Sequence, residues 1–272
     1  MANLPGNLTG PELKRFTSRP VKCPLLRNRI SSLADYLAVI SNAIRTEDTF
    51  WFRGHADLTW TLTPSALRNG KYDERVRALA LIADFKRIAE SKLSRPPRAE
   101  QELMWAQIAQ HYGLPTRLLD WTESATTALY FACQKQALDG LVLILNPSDL
   151  NRLTYPSKPR VLDPQADNEV IIRYLKMGAR KLKRGRFPVA INPVWNSERL
   201  IMQRGVFTLH GNRFSLDDGV PSLVAIPILR ESKSILRSQL QRIGVDEMTL
   251  FPELEHSCSY LRQKAGLSKV ED

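Results

Sequence analysis

The sequence has few of the residues on which disulfide frameworks and metal sites depend. Its three cysteines, Cys23, Cys133 and Cys258, are odd in number and far apart, which argues against a disulfide framework and fits a reducing compartment. There is no CxxC pair, and the four histidines show no HExxH or similar spacing. We therefore expect a protein without a metal ion.

Long apolar runs are also missing. No stretch approaches the ~20 apolar residues that span a bilayer, and the start, MANLPGNLTG, lacks the basic end and apolar block of a signal peptide. We expect a cytoplasmic protein without a membrane partner.

Three glycine motifs are absent as well. The chain contains no GxGxxG, no GxxxxGK[ST] and no GxSxG. These motifs mark dinucleotide-binding Rossmann folds, P-loop hydrolases and the nucleophile elbow of many esterases. None of these three classes has local support.

Basic residues are abundant. The chain has 39 Lys and Arg residues against 28 Asp and Glu residues, for a net charge of +11. Such a surface attracts polyanions, chiefly nucleic acid. The segment IIRYLKMGARKLKRGR holds seven basic residues and no acid, which is typical either of a phosphate-binding patch or of an ordinary solvated face. These residues are Arg173, Lys176, Arg180, Lys181, Lys183, Arg184 and Arg186.

Apolar periodicity predicts a single α+β domain at 31–264, preceded by a basic arm at 1–30 and followed by a tail at 265–272. The predicted helices include 32–44, 74–94, 101–113, 123–138 and 232–244. The predicted strands are TFWFRGHA, LPTRLLDWT, DGLVLILNP, EVIIRYL, RLIMQRGVFTLHG and PSLVAIPIL.

Polar residues gather where several of these elements end, and such positions often build ligand sites. They include Arg53, His55, Gln107, Gln110, His111, Tyr112, Thr116, Arg117, Asp120, Trp121 and Thr122. Each also has a structural interpretation. Arg117 can pair with Asp120, His111 can cap its helix, and Trp121 can belong to the core.

The segment FWFRGHADLTW places one arginine among four aromatic residues. A guanidinium is always charged and pairs with phosphate through two hydrogen bonds, so Arg53 suits an anionic nucleotide. Gly54 would let the backbone approach that ligand closely. The alternative is a buried ion pair of Arg53 with Asp120 or Glu102.

FRGHA, followed at a distance by AQHYGLPTRLLDWTESATTALYFAC, resembles the FRG domain family of bacterial proteins. The later RLIMQRGVFTLHG and the closing LRSQLQRIGVDEMTLFPELEHSCSYL are also similar to that family, so the resemblance runs from about residue 30 to 264. The order of elements is similar to the ADP-ribosyltransferase fold. This implies small split mixed or antiparallel sheets, with helical additions at both termini.

The resemblance implies three motif strands that hold NAD as a co-substrate. Arg53 would be the residue of the first motif, Thr122 the hydroxyl of the second, and Gln203 or Glu198 the polar residue of the third. The third segment has Gln-Arg-Gly where a glutamate is expected. The implied catalytic residues are Arg53, His111, Asp120, Glu198 and Gln203. The implied NAD-binding residues are Arg53, Gly54, His55, Tyr112, Arg117, Trp121 and Thr122.

The implied function is that of an NAD-dependent mono-ADP-ribosyltransferase acting on nucleic acid, with DNA favoured over RNA. Such a protein would be a toxin or an anti-phage effector, with an antitoxin or defence-system partner. The catalytic carboxylate is open among Asp120, Glu123, Glu169 and Glu198. Two other functions are open: a non-catalytic module that binds a nucleotide or nucleic acid, and a hydrolase that uses His111 and Asp120.

Overall fold

The computed structural model of the protein describes residues 30–44, 48–157, 159–182, 184–216, 220 and 223–267. Of the predicted basic arm at 1–30, only Ile30 is among the described residues. Lys183 of the basic segment and residues 268–272 of the predicted tail also lie outside them.

Six strands form one sheet in the described part of the chain. They are β1 (Trp51–His55), β2 (Leu118–Thr122), β3 (Gly140–Leu145), β4 (Val189–Ile191), β5 (Gly205–Leu209) and β6 (Val224–Ile228). Their order is β4-β5-β2-β1-β3-β6, and every neighbouring pair is antiparallel. The predicted α+β class is confirmed. Of the expected small split sheets, mixed or antiparallel, the antiparallel pairing is observed but the splitting is wrong, because these strands share a single sheet.

The sheet is least continuous at its centre. β1 pairs with β3 along all five of its residues, and β2 does the same with β5. Between β1 and β2, however, Phe52 and Thr122 form the only register pair. The two central strands therefore separate beyond this pair, and the backbone groups there are open to other partners.

Helices surround this sheet. Those before β3 are α1 (Leu33–Ala43), α2 (Ser65–Arg68), α3 (Tyr72–Ala89), α4 (Glu102–His111) and α5 (Ala125–Ala132). Those after it are α6 (Pro147–Arg152), α7 (Asn168–Leu175), α8 (Glu198–Met202), α9 (Arg230–Arg242), α10 (Glu247–Leu250) and α11 (Leu254–Lys264). No described helix combines the length and the apolar composition needed to cross a membrane.

The core lies on both faces of the sheet, because successive strand residues point in opposite directions. Phe52 packs with α1, α5 and α9 on one face, whereas Trp51 packs with alternate residues of β3 on the other. A third cluster places α4 and α7 against β5 and β4. The sheet is thus covered by helices around the point where β1 and β2 part.

Several predicted helix ends are confirmed by their caps. Ser32 and Asp35 form a capping box at the start of α1. Gly113 and Gly244 follow α4 and α9 with φ of +84° and +80°. Glycine adopts this left-handed conformation at little cost, so both helices end where the sequence indicated.

Of the predicted strands, one is a helix and another begins as a helix. EVIIRYL was expected to be extended because its β-branched residues favour strands, yet it forms α7, which buries Ile171 and Tyr174. These two residues are three positions apart and share a helix face, so packing decides over propensity. Just before RLIMQRGVFTLHG, Ser197 caps α8 by accepting from the Leu200 amide, so this segment starts as a helix and the strand begins only at Gly205.

Candidate functional site

A cavity of about 340 Å³ opens where β1 and β2 part. It is lined by β1, β2, β5, the end of α4, and α8 with the residues before and after it. Its volume lies at the lower end of the range typical of small-molecule sites. The gap at the centre of the sheet is therefore a candidate ligand site.

Arg53 on β1 lines this cavity and is held from two sides. Its Nε donates to His55 Nε2 at 3.0 Å, and its Nη1 donates to the Asp120 carbonyl at 2.5 Å. The Asp120 carboxylate is farther away, with Oδ2 4.0 Å from Nη1. Nη2 makes no hydrogen bond to a described residue, so part of the guanidinium is available to a ligand. Burial lowers the pKa of Arg53, but an arginine remains charged at pH 7.

His55 orients this arginine. The imidazole is fully buried, and burial, followed by the Arg53 and Arg68 cations, lowers the pKa of His55 well below its usual value of 6.5. It is therefore neutral at pH 7. Because Nε2 accepts from Arg53, the ring proton must be on Nδ1. His55 was predicted to bind the cofactor, and the structure places it behind Arg53 as a positioning residue.

Asp120 contributes the one carboxylate among the described residues that line the cavity. Its Oδ1 accepts from Gln110 Nε2 at 2.7 Å, and the Gln110 side-chain oxygen accepts from the Thr116 hydroxyl. The Asp120 side chain is 64% exposed. It is therefore both oriented by α4 and accessible to a ligand. His111 also lines the cavity, but no described hydrogen bond joins it to Asp120.

The other carboxylates lie elsewhere. Glu198 is exposed at the start of α8 and does not line the cavity. Glu123 lies 3.6 Å from Arg204, and Glu169 lies 3.5 Å from Arg173 on α7. Glu102, considered as a partner of Arg53, pairs instead with Lys86 at 2.6 Å. Of the carboxylates considered from the sequence, Asp120 is the one that meets the cavity.

One side of the cavity, here called the α8 wall, is formed by α8 and the residues that flank it. The sequence interpretation missed Asn196 and Arg199 in this wall. Asn196, Arg199, Leu200 and Gln203 line the cavity with the i, i+3, i+4, i+7 spacing of one helix face. A strand would have placed Leu200 on the opposite face from Arg199 and Gln203, and Asn196 lies before the strand predicted at 199–211. Arg199 lies 4.7 Å over the Phe251 ring and 3.8 Å from Glu253.

Gln203 and Thr122 join this wall to the sheet. The Thr122 hydroxyl donates to the Gln203 carbonyl at 2.6 Å, and Gln203 Nε2 donates to the Leu250 carbonyl at 3.0 Å. Both residues, which the resemblance assigned to the second and third motifs, line the cavity. Their bonded groups are engaged within the protein, which makes the wall rigid.

Gly54 has a different role from the predicted one. A Cβ at this position would collide with the Ala128 carbonyl and would lie 2.6 Å from the Ala132 nitrogen. Both atoms belong to the backbone of α5, which packs directly on β1. Gly54 does border the cavity. The glycine, however, is required by helix packing.

Arg117 was predicted to bind the cofactor, but the structure places it away from the cavity. The residue is 2% exposed and does not line the cavity. Its guanidinium donates to the carbonyls of His210, Gly211, Met177 and Gly178. Burial lowers the pKa of Arg117 to about 10. Arg117 joins the turn after α7 to the end of β5. Among the described residues, the ion-pair partner of Asp120 is Arg53, not Arg117.

Two aromatic residues that were predicted to bind NAD, Tyr112 and Trp121, do not present an exposed ring to the cavity. Tyr112 is 65% exposed and does not line the cavity. Trp121 does border it, but the ring is buried and its Nε1 donates to the Thr208 hydroxyl at 3.0 Å. Trp60, which the sequence interpretation did not assign to the site, lines the cavity with its ring partly exposed.

The basic segment is separate from the cavity. Its six described basic residues are all exposed, and none lines the cavity. Arg173 and Lys176 lie 3.5 Å from Glu169 and Glu102, and Arg186 lies over the Tyr174 ring. Some of its charge is therefore offset by neighbouring carboxylates.

A second buried histidine predicts acid sensitivity. His210 Nδ1 donates to the Phe214 carbonyl at 2.6 Å, so Nε2 accepts from the Thr208 hydroxyl at 2.9 Å. Burial lowers the pKa of His210 to about 3. Below pH 6.5 the imidazole binds a proton in the unfolded protein but not in the folded one. Protonation therefore favours the unfolded protein, and the free energy of unfolding falls as the pH falls.

We expect His210 to remove about 1.4 kcal/mol of stability per pH unit once the pH is well below 6.5, and His55 to lower stability in the same direction. Urea unfolding at a series of pH values measures this slope. A His210→Gln variant lacks one of the two groups and should show a shallower slope. An identical slope in the variant and the wild type would contradict the assignment of His210.

Comparison with protein families supports the resemblance seen in the sequence. Residues 48–139 match the family model of the FRG domain. The match includes both FRGHA and AQHYGLPTRLLDWTESATTALYFAC, whereas the segments around β5 and α9–α11 lie beyond it. The matched range, 48–139, is also shorter than the domain predicted at 31–264. No curated protein and no solved structure gives a significant match. On the strength of the family match, residues 48–139 of this chain are an FRG domain.

Proposed function

We propose that the protein is an NAD-dependent mono-ADP-ribosyltransferase of the corresponding fold type. The observation that carries this proposal is the arrangement of the three segments compared with the motifs of that fold. β1, β2 and β5 are neighbours in the sheet, and Arg53, Thr122 and Gln203 line one cavity with them. Segments far apart in sequence thus contribute to one site at the centre of the sheet.

The residues present fit the parts of NAD. Arg53 is a fixed cation with free donors, which suits the pyrophosphate. Arg199 provides a second cation from the α8 wall. The cavity is also lined by aromatic side chains, against which a flat nicotinamide ring can stack. The cavity is small and opens to solvent, so it suits the nicotinamide end of NAD better than the whole dinucleotide.

NAD supplies the reactive bond, between ribose C1′ and the nicotinamide nitrogen. When this bond breaks, its electron pair leaves with neutral nicotinamide, and a nitrogen or oxygen of the acceptor bonds to C1′. The sugar passes through an oxocarbenium-like state that a nearby carboxylate stabilises. Asp120 is placed for this role and for taking the acceptor's proton, since Gln110 holds one oxygen and leaves the side chain accessible.

The direct test is turnover. Purified protein is incubated with NAD and single- or double-stranded DNA or RNA, and nicotinamide release and the mass of the nucleic acid are followed. We expect nicotinamide release together with the addition of one ADP-ribose. Free ADP-ribose without an adduct would indicate hydrolysis, and thermal stabilisation by NAD without turnover would indicate a binding module. No nicotinamide release with nucleic acids or lysate proteins would refute the proposal.

Nucleic acid is the acceptor that we propose, with DNA favoured. The net charge of +11 and the exposed basic residues of the segment at 173–186 support this choice. The segment does not line the cavity, so it would bind the phosphates beside the reacting nucleotide. The biological setting that we propose is that of a toxin or an anti-phage effector, held in check by a partner protein.

Neutralising the basic segment is expected to reduce the salt dependence of nucleic-acid binding. Each phosphate contact contributes about 0.7–0.9 to the slope of log K against log salt concentration. Changing Arg180 and Arg184 to glutamine should therefore lower the slope by about 1.4–1.8. Fluorescence anisotropy with labelled single- and double-stranded DNA measures it.

The matched control removes the same charge elsewhere. Arg242 and Arg262 are exposed on α9 and α11, and their replacement by glutamine should change the slope much less. Equal slopes for the two double variants would show that net charge, rather than this segment, governs binding.

A further inference from the structure

One polar atom at the cavity is buried without a partner. The Asn196 Nδ2 amide has no hydrogen bond to any residue that the structure describes, and Asn196 lines the cavity. A buried N–H donor left unpaired costs about 1–3 kcal/mol, so such groups are uncommon unless they serve a function. An acceptor atom on a ligand would satisfy it.

The local structure holds Asn196 in place. The next residue, Ser197, caps α8 through its hydroxyl. Before it, the Val194 amide and carbonyl are both bonded by the Gln107 side chain of α4, at 3.1 and 3.3 Å. The backbone is thus fixed on both sides of Asn196. An amide presented in this way can select a ligand atom by position.

The surroundings narrow the kind of acceptor. Two arginines of the cavity, Arg53 and Arg199, already provide charged donors for phosphate oxygens. Asn196 provides a neutral donor, and the cavity has five aromatic side chains in its walls: Phe52, Trp60, Trp121, Phe131 and Phe207. A flat ring carrying an uncharged carbonyl matches both features, because the ring can stack while the carbonyl accepts.

We propose that Asn196 recognises the carboxamide of nicotinamide, with Nδ2–H donating to the carboxamide oxygen. This inference rests on the proposed use of NAD and assigns the end of the ligand that meets the α8 wall. Asn196 is then a specificity residue, and it distinguishes NAD from the same molecule without nicotinamide.

The test compares NAD with ADP-ribose, which lacks only the nicotinamide. Dissociation constants are measured by calorimetry for the wild type, Asn196→Leu and Asn196→Asp. Both variants keep the branched shape of the side chain but lose the amide donor. We expect the Kd for NAD to rise about tenfold, as for the loss of one buried hydrogen bond, with the Kd for ADP-ribose changing less than twofold.

Asn192→Leu is the matched control, since it removes an exposed amide from the same connection between β4 and α8. It should change neither constant. Unchanged NAD binding in the Asn196 variants, or an equal loss of NAD and ADP-ribose, would overturn the assignment while leaving NAD use intact. Failure of the wild type to bind NAD would overturn the proposed function and this inference together.

Discussion

Replacing Arg53 by glutamine is expected to lower NAD affinity and turnover about 100-fold while the domain stays folded. Charge-assisted hydrogen bonds contribute roughly 1.5–3 kcal/mol each, so the loss of a two-bond contact to phosphate amounts to about 3 kcal/mol. Radiolabelled NAD consumption and calorimetric titration measure the effect. Glutamine keeps a donor in the same region but has neither the charge nor the fork of the guanidinium.

The fold should tolerate this change because the glutamine amide can still donate to His55 Nε2, the buried acceptor of Arg53, and because Asp120 depends little on the guanidinium. The Asp120 side chain is mostly exposed, and its carboxylate lies 4.0 Å from the guanidinium. Burial lowers the pKa of Arg53, which shows that its charge is costly in this position. Removing that charge offsets part of the lost hydrogen bonding, so thermal unfolding should change little.

Arg68→Gln provides the comparison. Arg68 lies near enough to lower the pKa of Arg53, but it bonds the Thr63 carbonyl and does not line the cavity. We expect it to retain most NAD turnover. If Arg53→Gln instead unfolds the domain, or retains full NAD affinity, Arg53 is a structural partner of Asp120 and not a ligand residue.

Gly54→Ala is expected to destabilise the fold by about 3 kcal/mol, near the upper end for an overpacked site. The added methyl group would collide with the Ala128 carbonyl and approach the Ala132 nitrogen to 2.6 Å. These are backbone atoms of a buried helix, so they cannot move aside as a flexible side chain does. For a chain of this size the melting temperature should fall by roughly 6–12 °C.

Gly70→Ala tests whether the effect is specific to the site. A Cβ at Gly70 meets nothing within 4 Å, so its replacement should change stability by less than about 0.5 kcal/mol. Differential scanning calorimetry of both variants gives the comparison. A stable Gly54→Ala protein that binds NAD poorly would instead favour the original prediction that the glycine makes room for a ligand.

Arg53 and Gly54 show what the local sequence can predict and what it cannot. The pattern around FRGHA correctly predicted a strand. It also placed Arg53 at a candidate site, because a permanent cation in an apolar strand requires a partner. The purpose of Gly54 could not be predicted, since it depends on the distance between β1 and the distant helix α5.

In the region from Glu198 to Leu209, the sequence predicted the wrong secondary structure at the start of the segment. Its apolar content favoured a strand from Arg199 onward, and the family resemblance offered Glu198 and Gln203 as alternatives for the third motif. Capping by Ser197 forms a short helix instead, so that Arg199 and Leu200 both line the cavity while Glu198 is exposed to solvent. Short apolar runs do not distinguish helix from strand by periodicity alone.

Composition, motif and periodicity determined the α+β class, the FRG domain and several helix ends, because these depend on residues close together in sequence. Tertiary structure decided which polar residues meet. Arg117 and Asp120 are three positions apart, yet one is buried among four carbonyls and the other faces the cavity. Those environments depend on the pairing of the strands, on the separation of β1 from β2 and on the packing of α4 and α8. Each of these features brings together residues that are far apart in the sequence.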